Sequence, residues 1–81
     1  VEPYLIVISE PSEVFSLFQH EGVEFIYILK GEMVYRHGSR LYPMSEGDSL
    51  YFDADTPHGP EELGKLPIRF LSFIVEPQSD S

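Results

Sequence analysis

Residues 20–32 read His20-Glu21-Gly22-Val23-Glu24-Phe25-Ile26-Tyr27-Ile28-Leu29-Lys30-Gly31-Glu32, and this stretch decides the fold. Its apolar centre is built from aromatic, β-branched and leucine side chains, which suit a pleated, half-buried surface. Gly22-Val23 directly ahead of Phe25-Ile26-Tyr27-Ile28 argues against a helix, so Glu24–Lys30 is read as the strongest strand. Successive side chains on a strand alternate faces, which puts Glu24, Ile26 and Ile28 together on one. Gly31 interrupts the run. Glu32–Arg36 is then either the next strand or the same one continuing past a bulge.

Working outward, Tyr4–Ile8, Arg40–Pro43, Ser49–Asp53 and Ile68–Val75 have the same short, β-rich character. Glu13–Phe18 fits a helical turn or a strand. Ser9-Glu10-Pro11, His37-Gly38-Ser39 and Ser45-Glu46-Gly47-Asp48 read as turns. Asp55–Pro60 reads as a rigid loop, because each proline fixes its own φ and restricts the residue before it. Turns at this spacing predict an all-β sandwich or barrel. Glu76–Ser81 is a polar tail. No internal repeat or domain boundary is visible, so residues 1–81 are read as one small domain, with 1–8 its leading strand. The chain opens on Val1 rather than Met and is read as a piece of a longer protein.

Composition narrows the function. Five basic residues against fourteen acidic ones give a net charge of −9. Nucleic-acid affinity rests mainly on basic contacts to phosphates, so these residues are not expected to touch DNA or RNA directly. An anionic membrane surface is disfavoured for the same reason. No apolar run approaches the roughly 18 residues needed to span a bilayer. With no cysteine there is no disulfide, thiolate nucleophile or Cys-based zinc site, which fits a reducing, cytoplasmic setting. A chain this short buries only about 60–65% of its unfolded surface, and a small sheet has edges to cover. Association into a homodimer is therefore expected.

Three residues carry candidate chemistry: His20, Glu24 and His58. Two imidazoles and a carboxylate form a common facial ligand set for a divalent metal. On a straight strand His20 and Glu24 would lie about 13 Å apart. Ligands must come within ~2 Å of one ion, so the chain has to fold back between them. Gly22 is the residue able to permit that, since glycine accepts positive φ without steric cost. The competing reading is a loop His20, a surface Glu24 and a turn His58 with no common centre. If Glu24 points into a barrel, Phe18, Ile26, Phe52 and Phe70 are the candidate ligand-contacting residues of an apolar pocket. The same side chains also serve simply as core. His37 reads as a turn residue in solvent, Glu61-Glu62 as a solvated acidic patch, and the five tyrosines as packing residues.

These residues resemble a known family. Gln19-His20-Glu21-Gly22-Val23-Glu24 followed by Phe25 through Gly31 is similar to the first motif of the cupins, with Glu24 and Gly31 in register. Gly47 through His58 is similar to the second, with Gly47 and His58 in register. Together they cover Phe18–His58. Phe18 stands where the first motif has another histidine, Asp53 and Asp55 replace a proline and a glycine, and Glu62 replaces an asparagine. Of the family's usual three histidines and one glutamate, His20, Glu24 and His58 carry over. The stretch Tyr51-Phe52-Asp53-Ala54-Asp55 with Pro57-His58 further resembles the C-terminal cupin modules of bacterial helix-turn-helix (XRE-type) regulators.

The resemblance implies a small jelly-roll, or double-stranded β-helix, barrel. It also implies a domain that senses a small-molecule effector, with or without a divalent metal (Zn, Ni, Mn or Fe), while a separate N-terminal domain binds DNA. No catalytic residue is assigned in that reading. The alternative is a small metal-dependent enzyme, such as a dioxygenase, isomerase or decarboxylase, using the same three ligands.

Overall fold

Strand β2, Val23–His37, is the axis to which most of the others attach. The computed structural model of the chain describes residues 1–11 and 16–76. Around β2 are β1 (Glu2–Ile8), β3 (Arg40–Met44), β4 (Ser49–Asp53) and β5 (His58–Val75). Every pairing is antiparallel, and no helix occurs among the described residues. The all-β fold expected from the sequence is the one observed. The helix-or-strand question at Glu13–Phe18 and the tail beyond Glu76 fall wholly or partly outside the described residues.

The first half of β2 pairs with β4 on one side and with the end of β5 on the other. Its second half pairs with β3 and with the start of β5. Strand β1 lies beyond the end of β5, in register from Glu2↔Ile74 to Ile8↔Ile68. The question at Gly31 is answered by continuity: β2 runs through it as one strand, with register shifts between Ile28 and Met33. A Cβ on Gly31 would sit 2.5 Å from the Lys65 carbonyl oxygen and 2.6 Å from that of Pro67, at a φ of +88°. Only glycine lets β2 and β5 come this close. Bulges bend a strand and increase its twist, which is how one long strand can serve both halves of a curled sheet.

Strand β5 differs from the expectation. It starts at His58 rather than Ile68, so the rigid loop ends at Pro57. Pro60, Gly64 and Pro67 all lie within the strand. Here a further register shift, between Val34 and Tyr35, lies beside Pro60 and accommodates a residue that has no N–H to donate. The turns at 37–39 and 45–48 are as read. Gly38, at φ +63°, closes β2 onto β3 between the paired His37 and Arg40. At the next turn the Asp48 carboxylate accepts from the Ser45 N–H at 2.9 Å.

The core lies between the two halves of the curl. Ile8, Ile26, Ile28 and Ile68 are fully enclosed, with Met33, Tyr35, Phe52 and Phe70 packed around them. Each such side chain contributes about 1.5–3 kcal/mol on burial. The outward face of the β1–β5–β2–β4 sheet is also apolar. One cross-strand row runs Pro3, Phe73, Phe25, Tyr51, and the next begins Leu5, Leu71, Tyr27. Among the described residues no helix is long and apolar enough to cross a membrane.

Candidate metal and ligand site

The chain turns at Glu21-Gly22 and leads into β2, with Gly22 at φ +103°. The segment ahead of that turn is tied by backbone hydrogen bonds to the loop before β5. Phe18 and His58 exchange both N–H···O bonds, at 2.7 and 2.9 Å. The His20 N–H donates to the Ala54 carbonyl at 2.9 Å, and the Ala54 N–H donates to that of Gly22 at 2.9 Å. These bonds replace the extended spacing of a straight strand with a fold-back, and they carry His20 over Glu24.

The result is one centre. The Nε2 atoms of His20 and of His58 each lie 3.2 Å from Glu24 Oε1. The ligand atoms of the three residues all fall within 4.8 Å of one another. His58 and Glu24 are buried, while His20 is partly open to solvent. The other carboxylate oxygen, Oε2, accepts from the Ser72 hydroxyl at 2.8 Å. His58 is wedged between rings, with Phe52 at 4.9 Å, His20 edge-on at 5.2 Å and Tyr35 stacked at 6.5 Å.

The second ring nitrogens decide what the centre can hold. His58 Nδ1 lies 2.8 Å from the Thr56 carbonyl oxygen, and His20 Nδ1 lies 3.2 Å from that of Glu21. A carbonyl oxygen only accepts, so Nδ1 donates in both rings and carries the proton. In the neutral rings each Nε2 then presents a lone pair toward the Glu24 carboxylate. Lone pairs facing an anion at 3.2 Å need a positive species between them, either a proton or a metal ion. A divalent ion ~2 Å from each donor fits this spacing, and Nδ1–H bonded to a carbonyl is the usual support for an Nε2 ligand. The donor set therefore fits a metal. Without one, a proton takes its place. Burial pushes the Glu24 carboxyl up, yet hydrogen bonds from His58, Ser72 and His20 outweigh it and hold the group below its ordinary value. Burial likewise works against a charged His58, but its bonds to Glu24 and the Thr56 carbonyl raise it above the usual imidazole range.

A cavity of about 230 Å³ opens directly onto this centre. Phe18 and Phe70, two of the expected ligand contacts, line it; Ile26 and Phe52, the other two, lie in the core, and Phe52 is the ring against which His58 packs. Ile6, Ile74, Pro60, Tyr4, Tyr35 and Ser72 complete the lining together with His20 and Glu24. The sequence reading missed Tyr35 and Ser72. Burial, and secondarily the charge on Glu24, pushes the Tyr35 phenol far above its ordinary value. His37, read as a solvent-exposed turn, is half-buried: it packs on Phe52 at 5.1 Å, and its Nε2 lies 2.9 Å from the Asp53 carbonyl oxygen. Glu61 is paired with Arg36 through two bonds of 2.8 and 3.0 Å.

With fold and site in view, comparison with known proteins gives the family. A model of the cupin domain matches residues 5–74, and the chain belongs to the cupins. Over 66 residues it is 33% identical to an oxalate-binding protein of Thermotoga maritima, a match covering 80% of this chain and 54% of that protein. Over 56 residues it is 30% identical to an uncharacterized protein of Methanocaldococcus jannaschii, covering 69% of this chain and 45% of the other. The chain thus spans about half the length of the curated relatives it matches.

Proposed function

We propose that this chain is a small-molecule-binding cupin module that holds a divalent metal (Zn, Ni, Mn or Fe) on His20, Glu24 and His58. It serves as the effector-sensing part of a longer cytoplasmic regulator whose DNA contacts are made by an attached N-terminal helix-turn-helix domain. The observation that carries the binding reading is the convergence of three donor atoms at the floor of an apolar cavity. The bound metal would supply a Lewis-acidic point to which a ligand atom attaches. A relative named for binding oxalate supports a small molecule as the occupant. The regulator reading rests on the resemblance of the 51–58 stretch and on a charge of −9, which leaves phosphate contacts to another part of the protein.

The same cavity bears on the enzyme alternative. Its titratable lining consists of the metal ligands His20 and Glu24 and two tyrosines, Tyr4 and Tyr35, whose hydroxyls are both pushed up from their ordinary value. An acid or base poised near neutrality and separate from the metal ligands is not among them. That favours binding over turnover.

Pairing of two copies belongs to this reading. The two apolar rows on the outward sheet face carry no charged side chain in a chain of net charge −9. It is the surface where a second copy approaches without like-charge repulsion. Leu5 and Tyr51 stand out from it, 59% and 67% exposed. The double variant Leu5→Lys/Tyr51→Lys is expected to sediment as a monomer while the parent sediments as a dimer; equal sedimentation would exclude this face.

The metal site is tested by calorimetry on tag-free protein stripped with chelator and titrated with Zn, Ni, Mn or Fe(II). One equivalent is expected to bind, with His58→Ala and Glu24→Ala weakening it at least tenfold. Binding unchanged by both substitutions would remove the triad from the reading. The regulator is tested on the gene: a reading frame encoding a helix-turn-helix domain ahead of Val1 supports it, and a frame lacking one ends it.

A further inference from the structure

We infer that Tyr35 is the hydrogen-bond donor to the occupant of this cavity, and that the occupant is a small, largely apolar molecule with one oxygen-acceptor head group. This deepens the small-molecule reading of the same site and rests on it.

The first observation is the tyrosine itself. Tyr35 is 2% exposed, and its ring is fixed by Phe52 at 5.7 Å, Phe70 at 6.5 Å and His58 at 6.5 Å. Among the described residues its hydroxyl makes no hydrogen bond, and no fully enclosed side-chain polar atom is left without a partner. The hydroxyl therefore meets accessible space, and the space that Tyr35 lines is the cavity above Glu24. A buried hydroxyl is costly to leave unpaired, so it is completed by whatever enters. Packing alone would be served by phenylalanine, and the hydroxyl adds a donor aimed at an occupant.

The second observation is the distribution of charge. Tyr4, Ile6, Phe18, Pro60, Phe70 and Ile74 make the walls apolar. The polar groups gather at the floor, and the Ser72 hydroxyl is already committed to Glu24. None of the five basic residues, Lys30, Arg36, Arg40, Lys65 and Arg69, lines the cavity. A monoanion or neutral carbonyl finds its needs met by one metal position and one phenolic O–H. A second charged group reaching away from that head group would face aromatic walls or the Glu24 anion, and a buried charge without a partner is strongly disfavoured. At about 30 Å³ per water, a cavity of about 230 Å³ holds a single ring with one head group.

The test uses the full chain loaded with one equivalent of Zn, dialysed, and titrated separately with benzoate and with acetate, in the parent and in Tyr35→Phe. Benzoate is expected to bind the parent at least tenfold more tightly than acetate, which has the same head group and no ring, and Tyr35→Phe to weaken benzoate about tenfold or more. Zn affinity and the ligand-free melting temperature are expected to stay as in the parent, since the substitution removes only an unpaired hydroxyl. Acetate binding as tightly as benzoate would overturn the ligand class. Benzoate affinity unchanged in Tyr35→Phe would overturn the role of Tyr35. If Zn fails to bind the parent and neither acid binds, the metal-site reading falls and takes this inference with it; Zn binding with acetate preferred overturns this inference alone.

Discussion

Gly22 makes the site possible, and its replacement by alanine tests whether the fold-back is built as described. Two costs attach to the substitution. At φ +103° an L-residue sits in a region that costs roughly 1–2 kcal/mol. In addition, the new Cβ would overlap the Val75 carbonyl oxygen and come within 3.1 Å of Glu76 Cα. These are backbone atoms, which cannot swing aside as the end of a flexible side chain would. Forcing such atoms apart adds about 1–3 kcal/mol. Gly47 supplies the control. It has φ +87°, and a Cβ there meets nothing within 4 Å, so Gly47→Ala carries the conformational cost without the overlap. The expected losses are about 1–2 kcal/mol for Gly47→Ala and about 3 kcal/mol or more for Gly22→Ala. With a urea slope of roughly 1 kcal/mol/M for a small domain, the two midpoints should separate by about 1–2 M. The assay is equilibrium urea unfolding followed by far-UV circular dichroism on metal-free protein. Metal titration of the folded fraction should further show Gly22→Ala weakened, because His20 reaches Glu24 only through this turn. Equal midpoints for the two variants would refute the reasoning.

Other outcomes follow from the same geometry. In metal-free protein the depressed Glu24 carboxyl contributes stability that is present above its unfolded value of about 4.5 and lost as pH falls. The raised His58 contributes stability that is present below about 6.5 and lost as pH rises through its folded value. The melting temperature should therefore peak between these limits, and Glu24→Gln should flatten its fall on the alkaline side; a profile unaltered by Glu24→Gln would break the link. Adding a metal at 100 times its dissociation constant stabilises by about 2.7 kcal/mol, or a melting shift of roughly 10–20 °C for a domain of this size, and chelator should reverse it. Ile28 is fully buried and Leu29, its neighbour, is 42% exposed. Ile28→Ala should cost about 2–5 kcal/mol and Leu29→Ala under about 1 kcal/mol by urea unfolding, and a reversed order would place the strand's faces wrongly.

Much of this molecule was legible from local chemistry. The run from Glu24 to Lys30 identified a strand because alternating β-branched and aromatic residues fit a pleated surface with one buried face. His20, Glu24 and His58 were legible as the residue types of a facial ligand set, and the turn at Gly22 supplies the fold-back that the His20–Glu24 spacing demanded. Strand β5 was half hidden. His58–Leu66 lacks alternation and contains Pro60, so its pairing with β2 depends on a partner strand distant in sequence and on a register shift invisible in composition.

Tyr35 shows where local reading stops. Counting by twos from Glu24 through Ile26 and Ile28 puts residues 30, 32 and 34 on the inner face and Tyr35 on the outer. The structure has the opposite: Lys30 and Glu32 are exposed, and Met33 and Tyr35 are buried. The register shifts between Ile28 and Met33 change the count by one, and a one-residue change turns every later side chain to the other face. Gly31 marks the place, but a glycine in a strand signals either a bulge or a close crossing and does not say how many residues are left unpaired. Here it serves both: the crossing with β5 requires glycine, and the bulges around it bring a phenol rather than Val34 into the barrel beside Glu24. The chemistry of the cavity thus depends on a counting event in the strand as much as on which residues the strand contains. Inserting one alanine after Glu32 changes the count by one again, and it should turn Tyr35 outward while leaving Glu24 in place. Such a variant, if it folds, should keep metal binding and lose the head-group contact assigned to Tyr35; retention of both would show that the bulge does not control what faces the cavity.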